Sequence, residues 1–536
     1  MKPFDASGAF RPSAEGDELR RLAVRGAGVT VLSGGVGLAV QMIATVILAR
    51  LLTPVDFGVV TMVTTFSLLL VSFGQNGYAE AVLQRDQIDH FLASNLFWIN
   101  LGVGLLLAIG FASTGSLLAS FYGDPRVAHV AVGISLTIFI TSTSVLHLAV
   151  LQRAMHFSVV SANDVLARAV SVAVSILLAW AGWGYWALVA GAVAQPLSTS
   201  IGAWTLCRWV PGLPRRVAGT ASMVRFAMHV YGRFTVNYFA RNTDNLLVGW
   251  RFSAQPLGFY KKAYDLFALP AGLLVSSLTS VAVSALSRVN RDSDQYKRYL
   301  LRALSVLAFV GMGLSADLTL VGKDVIRLLL GPGWEAAGRI FTFFGPGIGI
   351  MVLYGALGWI HLSIGRPDRW FRWGCLEFGF TFLLFLLALR WGPVGIAVAW
   401  TASFWILAIP AFWYAGRPIH FGIAPVLAAV WKYIVASLLA GFASAGIMQG
   451  IPPFVGMPGA VEAFARIVMA SLLFGALYLG AVILLHGGSA PLYQVAGLLR
   501  EMLPSGRFSR PSRAVAGTGG RVTSEAATLT SQGTTS

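Results

Sequence analysis

Long apolar stretches separated by short polar ones run the length of the chain, and their length decides what they are. A helix needs roughly 20 mostly apolar residues to cross a hydrocarbon core of about 30 Å. Stretches such as Val170 to Ala179 and Phe380 to Leu389 sit at the centres of windows that long. The pattern predicts about fourteen spans, near residues 24–50, 57–83, 91–121, 127–151, 158–181, 183–207, 223–250, 263–287, 299–321, 335–362, 369–390, 392–416, 426–449 and 463–486. Glycines inside the spans (Gly34, Gly35 and Gly37; Gly345, Gly347 and Gly349) suit helices that approach one another closely. Nothing shows the ten-residue alternation of a membrane barrel. The expected fold class is all-α, a polytopic membrane helical bundle.

The remaining sequence is polar and short. Residues 1–23 read as a cytoplasmic N-terminal segment, and the first twenty lack the apolar core of a cleavable signal peptide. Residues 487–536, rich in Ser, Thr, Gly and Ala, cannot bury enough apolar surface to fold and read as a disordered cytoplasmic tail. No loop is long enough for a soluble catalytic domain, so no catalytic residue is assigned.

Composition sharpens this picture. Of 536 residues, 56% are hydrophobic and 11% charged, against about 25% charged in soluble chains. The net charge of +17 does not point to nucleic acid, because the basic residues are spread over short loops, where membrane proteins place them. Even-numbered loops carry Arg85, Arg153, Arg208, Arg215, Arg216, Arg288, Arg298 and Arg366, and odd-numbered ones are poorer. The positive-inside rule then puts both termini in the cytoplasm. The two cysteines, Cys207 and Cys375, fall at or within spans, offering neither a disulfide framework nor a metal site. No cofactor is expected.

Two pairs of segments suggest a duplicated chain. ARLLTPVDFGVV from Ala49 and GWRFSAQPLGFYKKAY from Gly249 each close one span and open the next, with a two-residue slip at proline. GWGYWALVAGAVA from Gly182 and WGPVGIAVAWTAS from Trp391 both form a tight turn before a small-residue-rich helix. The spans therefore group as a first six-helix lobe (24–209), a second (223–417) and two additional helices (426–486), an arrangement characteristic of transporters.

The segments ILARLLTPVDFGVV (47–60), AVLQR (81–85), AVLQRAMHFS (149–158), WALVAGAVAQP (186–196), LLLGPGW (328–334), GRPD (365–368) and WGPVGIAVAW (391–400) carry a family likeness. The most specific is NYFARNTDNLLVGWRFSAQPLGFYKKAYDLFALP (237–270). Together they resemble the Wzx-type polysaccharide and lipid-linked oligosaccharide transporters of the multidrug/oligosaccharidyl-lipid/polysaccharide exporter superfamily, over most of residues 24–417. The resemblance implies a two-lobed bundle that alternates access by rocking. It also implies a polyprenyl-diphosphate-linked oligosaccharide cargo, moved from the cytoplasmic to the periplasmic leaflet of the bacterial inner membrane. Membrane lipids, a polysaccharide polymerase and chain-length machinery are the implied partners.

The seventh span breaks the apolar pattern in a way that suits such a cargo. Arg233, Asn237, Arg241, Asp244 and Arg251 fall on one helical face, with Phe239, Leu246 and Val248 opposite. A charge at the bilayer centre costs about 2.5–3.5 kcal/mol on insertion scales, so the stripe should face the bundle interior. A guanidinium offers a planar fork of donors to phosphate oxygens. Arg241 is the candidate diphosphate ligand, with Asp244 holding it when the cavity is empty; an architectural Arg241–Asp244 pair is the competing reading. Gln41 lies 200 residues before Arg241, where a duplicated lobe places its counterpart.

Asp164 and Arg168 read as a same-face pair. Glu377, Asp317 and Glu80 are further carboxylates in or near spans, and any of them could carry a coupling proton. Lys261 and Lys262, beside Tyr260 and Tyr264, read as interface anchors. Two other functions compete: a cation-coupled drug exporter, which would favour acidic cavity residues, and a membrane glycan polymerase or ligase, which would need a sizeable periplasmic loop.

Overall fold

Each predicted span is filled by one helix or by two in succession. A computed structural model describes residues 3–5, 7–10, 17–85, 88–215, 219–289, 292–451, 459–489 and 492–493. Some side chains within helices lie outside the described set, those of Arg233 and Asn237 among them, and so does the predicted tail from 494 onward. The described helices are α1 (Asp17–Leu51), α2 (Pro54–Gln84), α3 (His90–Ser113), α4 (Gly115–Tyr122), α5 (Arg126–Ser142), α6 (Val145–Arg153), α7 (Phe157–Trp180), α8 (Tyr185–Cys207) and α9 (Thr220–Phe252). They continue with α10 (Ala254–Arg288), α11 (Ser293–Leu330), α12 (Glu335–Phe344), α13 (Gly347–Ser363), α14 (Pro367–Ala388), α15 (Gly392–Gly416), α16 (Ile423–Gln449) and α17 (Gly459–His486). All belong to the first of two units, Met1–Gly488, the second being Ser489–Ser536.

By length and composition, nine helical segments among the described residues can cross a membrane, or ten if the bent pair α12–α13 is one span. One of the nine is the run Pro367–Ile419, in which α14 and α15 fold back on one another around Gly392, at φ 73°. The α12–α13 bend of 50° falls at Gly345–Pro346, where proline cannot continue the hydrogen-bond ladder. Helices α8, α9 and α10 fall outside the apolar set. The outward faces are apolar (Leu106, Phe442, Leu472 and Leu484 are all exposed), as lipid contact requires. The protein is a polytopic helical membrane bundle.

Local chemistry fixes several helix starts. Thr53 and Asp56 form a reciprocal capping box at α2, with Pro54 in its first turn. Asp89 caps α3 and Asp292 caps α11. Helix α1 starts earlier than predicted, at Asp17 rather than 24, and α10 starts at Ala254 rather than 263. Polar first turns lower mean hydropathy without interrupting the backbone ladder. Residues near the N-terminus also meet the bundle: Gly8 accepts a hydrogen bond from the His90 amide, and Phe4 packs on His90 and Trp209.

Helices α1 to α8 pack mainly through α7 on α8, α1 on α7, and α5 on α2, α3 and α8. Among α9 to α15, α10 packs on α12 and α13, α11 on α12 and α13, and α14 on α15. Helices α16 and α17 dock on α11. There Ser471 donates to Asp317 at 3.1 Å, Arg466 lies 3.4 Å from Asp324, and Tyr478 donates to the Phe309 carbonyl at 2.7 Å. The early and late helices meet chiefly where α2 lies against α9 and α10. No room exists for a Cβ at Gly58, which abuts the Ala254 carbonyl, or at Gly258, which abuts the Pro54 carbonyl. The two segments thus correspond without a slip, glycine to glycine, and the offset of the prolines is local.

Candidate functional site

Helices α9 and α10 form a hairpin joined by the single residue Ser253, at φ 73° and ψ −176°. So short a turn sets the residues on either side of it face to face. Asp244 is buried in α9. Its Oδ2 accepts the Tyr260 hydroxyl of α10 at 2.8 Å, and its Oδ1 accepts the Asn245 backbone N–H at 2.8 Å. Beside Tyr260, Lys261 forms an ion pair at 2.5 Å with Asp265, one turn further along α10.

Arg241 is exposed, with no ion pair among the described residues. The Glu377 carboxylate of α14 and the Tyr264 hydroxyl lie within electrostatic range of it. Glu377 accepts the Tyr354 hydroxyl at 3.0 Å, and the Tyr354 oxygen accepts Trp373 Nε1 at 2.6 Å. Arg241, Asp265 and Glu377 each lie the same number of residues from one end of their helices, roughly 16 Å along the axis. By helix rise, and because α9 packs on both α10 and α14, they fall in one charged layer of the bundle.

The expected Arg241–Asp244 pair is not formed. Three residues along an α-helix leave about 60° between side chains, and that rotation turns Asp244 into α10 while Arg241 stays at the surface. Arg251, in the last turn of α9, lies 5.8 Å from the Phe252 ring centroid, apart from the charged layer. Gln41 is exposed on α1. Asp164 and Arg168 form the predicted same-face pair at 2.9 Å, with the Arg168 side chain against Gly37 of α1. Asp317 faces α17 rather than the layer.

Tyr260, Tyr354 and Trp373 were not singled out by the sequence as polar partners. For Tyr260 a signal existed: it and Asp244 stand at nearly equal distances either side of Ser253. Lys262, expected as an interface anchor, places its Nζ 4.1 Å from the Phe57 ring centroid of α2. At the register of 200 that Gly58 and Gly258 define, Lys261 and Asp265 correspond to Thr61 and Thr65, and Asp244 to Ala44. The charge of the layer belongs to the later helices alone.

The model of a family described as polysaccharide biosynthesis protein matches residues 47–338, which include Arg241, Asp244 and the α9–α10 hairpin. The chain belongs to the polysaccharide biosynthesis protein family. Among its relatives in that family's field, the succinoglycan biosynthesis transport protein ExoT of Rhizobium meliloti (strain 1021) is 23% identical over 327 residues, 61% of this chain and 66% of that protein. The lipopolysaccharide biosynthesis protein WzxC of Escherichia coli (strain K12) is 22% identical over 71% of this chain and 76% of its own length. The teichuronic acid biosynthesis protein TuaB of Bacillus subtilis (strain 168) is 24% identical over 69% and 77%.

Among solved structures, the lipid II flippase MurJ in an inward closed conformation superimposes with a TM-score of 0.66 at 14% identity, covering 86% of this chain and all of that one (100%). An inward-facing multidrug resistance MATE family transporter gives 0.55 at 12% identity, covering 73% of this chain and 98% of that one. At these identities the likeness is one of fold.

Proposed function

We propose that the protein is a flippase for polyprenyl-diphosphate-linked oligosaccharide in polysaccharide biosynthesis. It moves its cargo from the cytoplasmic to the periplasmic leaflet of the bacterial inner membrane by alternating access. Both termini lie in the cytoplasm, and the spans group as two six-helix lobes and two additional helices. No bond is made or broken; a polymerase and chain-length machinery act on the delivered glycan.

The observation that carries this reading is Arg241. In a chain of this family, a guanidinium stands within the charged layer with no ion-pair partner of its own among the described residues, while Lys261 is paired with Asp265. Such a charge is costly in apolar surroundings unless water or an anion meets it, and a diphosphate presents the oxygens that a guanidinium fork matches. The relatives named for succinoglycan transport and lipopolysaccharide biosynthesis support a cargo of this kind.

Proteoliposomes loaded with a polyprenyl-diphosphate oligosaccharide test it, scored by access of an external lectin to the glycan. Protein-dependent movement supports the flippase. An intact lipid-linked glycan that never changes leaflet overturns it and favours a drug exporter of the same fold. Conversion of the glycan would instead mark an enzyme.

A further inference from the structure

One carboxylate of the charged layer is aimed by two aromatic residues. Glu377 lies one turn after Trp373 on α14, so the two share a side of the helix, and there α13 brings Tyr354 to both. An indole N–H can only donate, and a phenol carries a single proton. Because Trp373 Nε1 donates to the Tyr354 oxygen at 2.6 Å, the Tyr354 proton is left for Glu377 Oε2, at 3.0 Å. Trp373 and Tyr354 are buried, and α15 backs them both. Tyr414 stacks on Trp373 with centroids 5.5 Å apart, and Phe404 meets the Tyr354 ring edge-on at 5.1 Å. The chain of hydrogen bonds therefore runs one way, from indole to phenol to carboxylate. Glu377 itself is only partly buried, and its Oε1 has no hydrogen-bond partner among the described residues.

The charges around it balance. Lys261 matches Asp265, and Arg241 is the cation within electrostatic range of Glu377. A diphosphate that takes up Arg241 leaves Glu377 without that cation and with one oxygen still open, which as a carboxylate oxygen can only accept. The group brought next to it is the sugar joined to the diphosphate. Hydroxyl and acetamido N–H donors satisfy such an oxygen. A second carboxylate would set like charges side by side where water does not screen them, which penalises the wrong cargo.

We infer that Glu377 reads the sugar joined to the diphosphate, accepting a neutral hexose or N-acetylhexosamine and rejecting a uronic acid, with Tyr354 and Trp373 as its positioning residues. The inference rests on the transport reading above and names the class of cargo within it. It gives Glu377 a different task from the coupling proton that its place in a span suggests. A coupling carboxyl acts on every cargo alike, whereas a sugar-reading one tells them apart.

Two lipid-linked cargoes of equal length test this, with N-acetylglucosamine or glucuronic acid joined to the polyprenyl diphosphate. In proteoliposomes at subsaturating cargo, the parent should move the neutral one about tenfold faster or more, as like-charge rejection implies. Glu377→Gln keeps an acceptor for Tyr354 and removes the charge. It should raise the rate for the uronic acid cargo several-fold, lower that for the neutral one, and bring the ratio near one. Tyr354→Phe keeps the charge but frees the carboxylate to turn, and should weaken the preference chiefly by raising the half-saturating concentration of the neutral cargo. Equal rates for the two cargoes in the parent, or a ratio that Glu377→Gln leaves unchanged, overturn the sugar site.

A second readout needs no movement of cargo. Farnesyl-diphosphate analogues bearing the same two sugars are titrated into the purified protein in detergent by calorimetry. The neutral analogue should bind about tenfold more tightly, and Glu377→Gln should abolish the difference. Equal affinities, or binding of neither analogue, overturn the sugar site even if transport is observed. Discrimination that follows Glu377 without any translocation upholds the site and removes the flippase assignment.

Discussion

Tyr260 donates its hydroxyl to the Asp244 carboxylate across 2.8 Å, from one arm of the α9–α10 hairpin to the other. Both residues are buried, so the bond ties the arms together inside the bundle rather than at a wet cavity wall. Removing the donor strands a buried carboxylate oxygen, which costs about 1–3 kcal/mol. Tyr260→Phe should lower the melting temperature in detergent by several degrees. Asp244→Asn, which keeps an acceptor for Tyr260, should lower it less. Equal melting temperatures for Tyr260→Phe and the parent would show that the bond contributes nothing to stability.

Arg241 should separate from Asp244 in its effect. It makes no ion pair to lose, so Arg241→Ala should fold normally yet transport at least ~30-fold more slowly, equivalent to about 2 kcal/mol for a lost charge-assisted contact. Arg241→Lys, which keeps the charge but not the planar fork, should retain partial activity. Translocation rates in proteoliposomes at matched protein density check this, and full activity in the alanine variant would remove Arg241 from cargo binding.

Ser253 occupies a backbone region that glycine alone enters without strain, at φ 73° and ψ −176°. Ser253→Gly should stabilise the hairpin by about 1 kcal/mol, less the entropy that glycine restores to the unfolded chain. A raised melting temperature is the expected result; a fall would mean that the turn is not strained.

Between α4 and α5, hydrogen bonds from Arg126, at 2.7 and 3.0 Å, hold the Asp124 carboxyl below its ordinary carboxylate range. A group with a lowered folded pKa contributes stability above its unfolded pKa, and that contribution fades as pH falls through the folded value. The melting temperature of the parent should therefore drop below about pH 4 more steeply than that of Asp124→Asn. Parallel curves would show that the pair is not linked to folding.

By itself the sequence determined the class of the molecule and much of its plan. Apolar runs of spanning length can only be helices in a bilayer, because every backbone polar group must find its partner within the segment. Each of the predicted spans is accordingly helical. The cost of charge in lipid was enough to mark Arg241, Asp244, Glu377 and the Asp164–Arg168 pair as residues that need a reason. The family likeness in 237–270 was legible because its motifs are local in sequence.

Only the tertiary structure decided which groups these residues meet. Periodicity reports which side of a helix a residue occupies; the neighbour on that side is set by crossing angles, bends and turns. A one-residue turn at Ser253 gave Asp244 to Tyr260 rather than to Arg241, and the return of α14 beside α9 brought Glu377 toward Arg241. Lys262 lies over Phe57, and Trp334 reaches Ala49, through contacts between segments some 200 and 285 positions apart. Their chemistry was visible in the sequence; the close approach of α2 to α10 that seats Lys262 over Phe57 rests on Gly58 and Gly258, which leave no Cβ between the two helices.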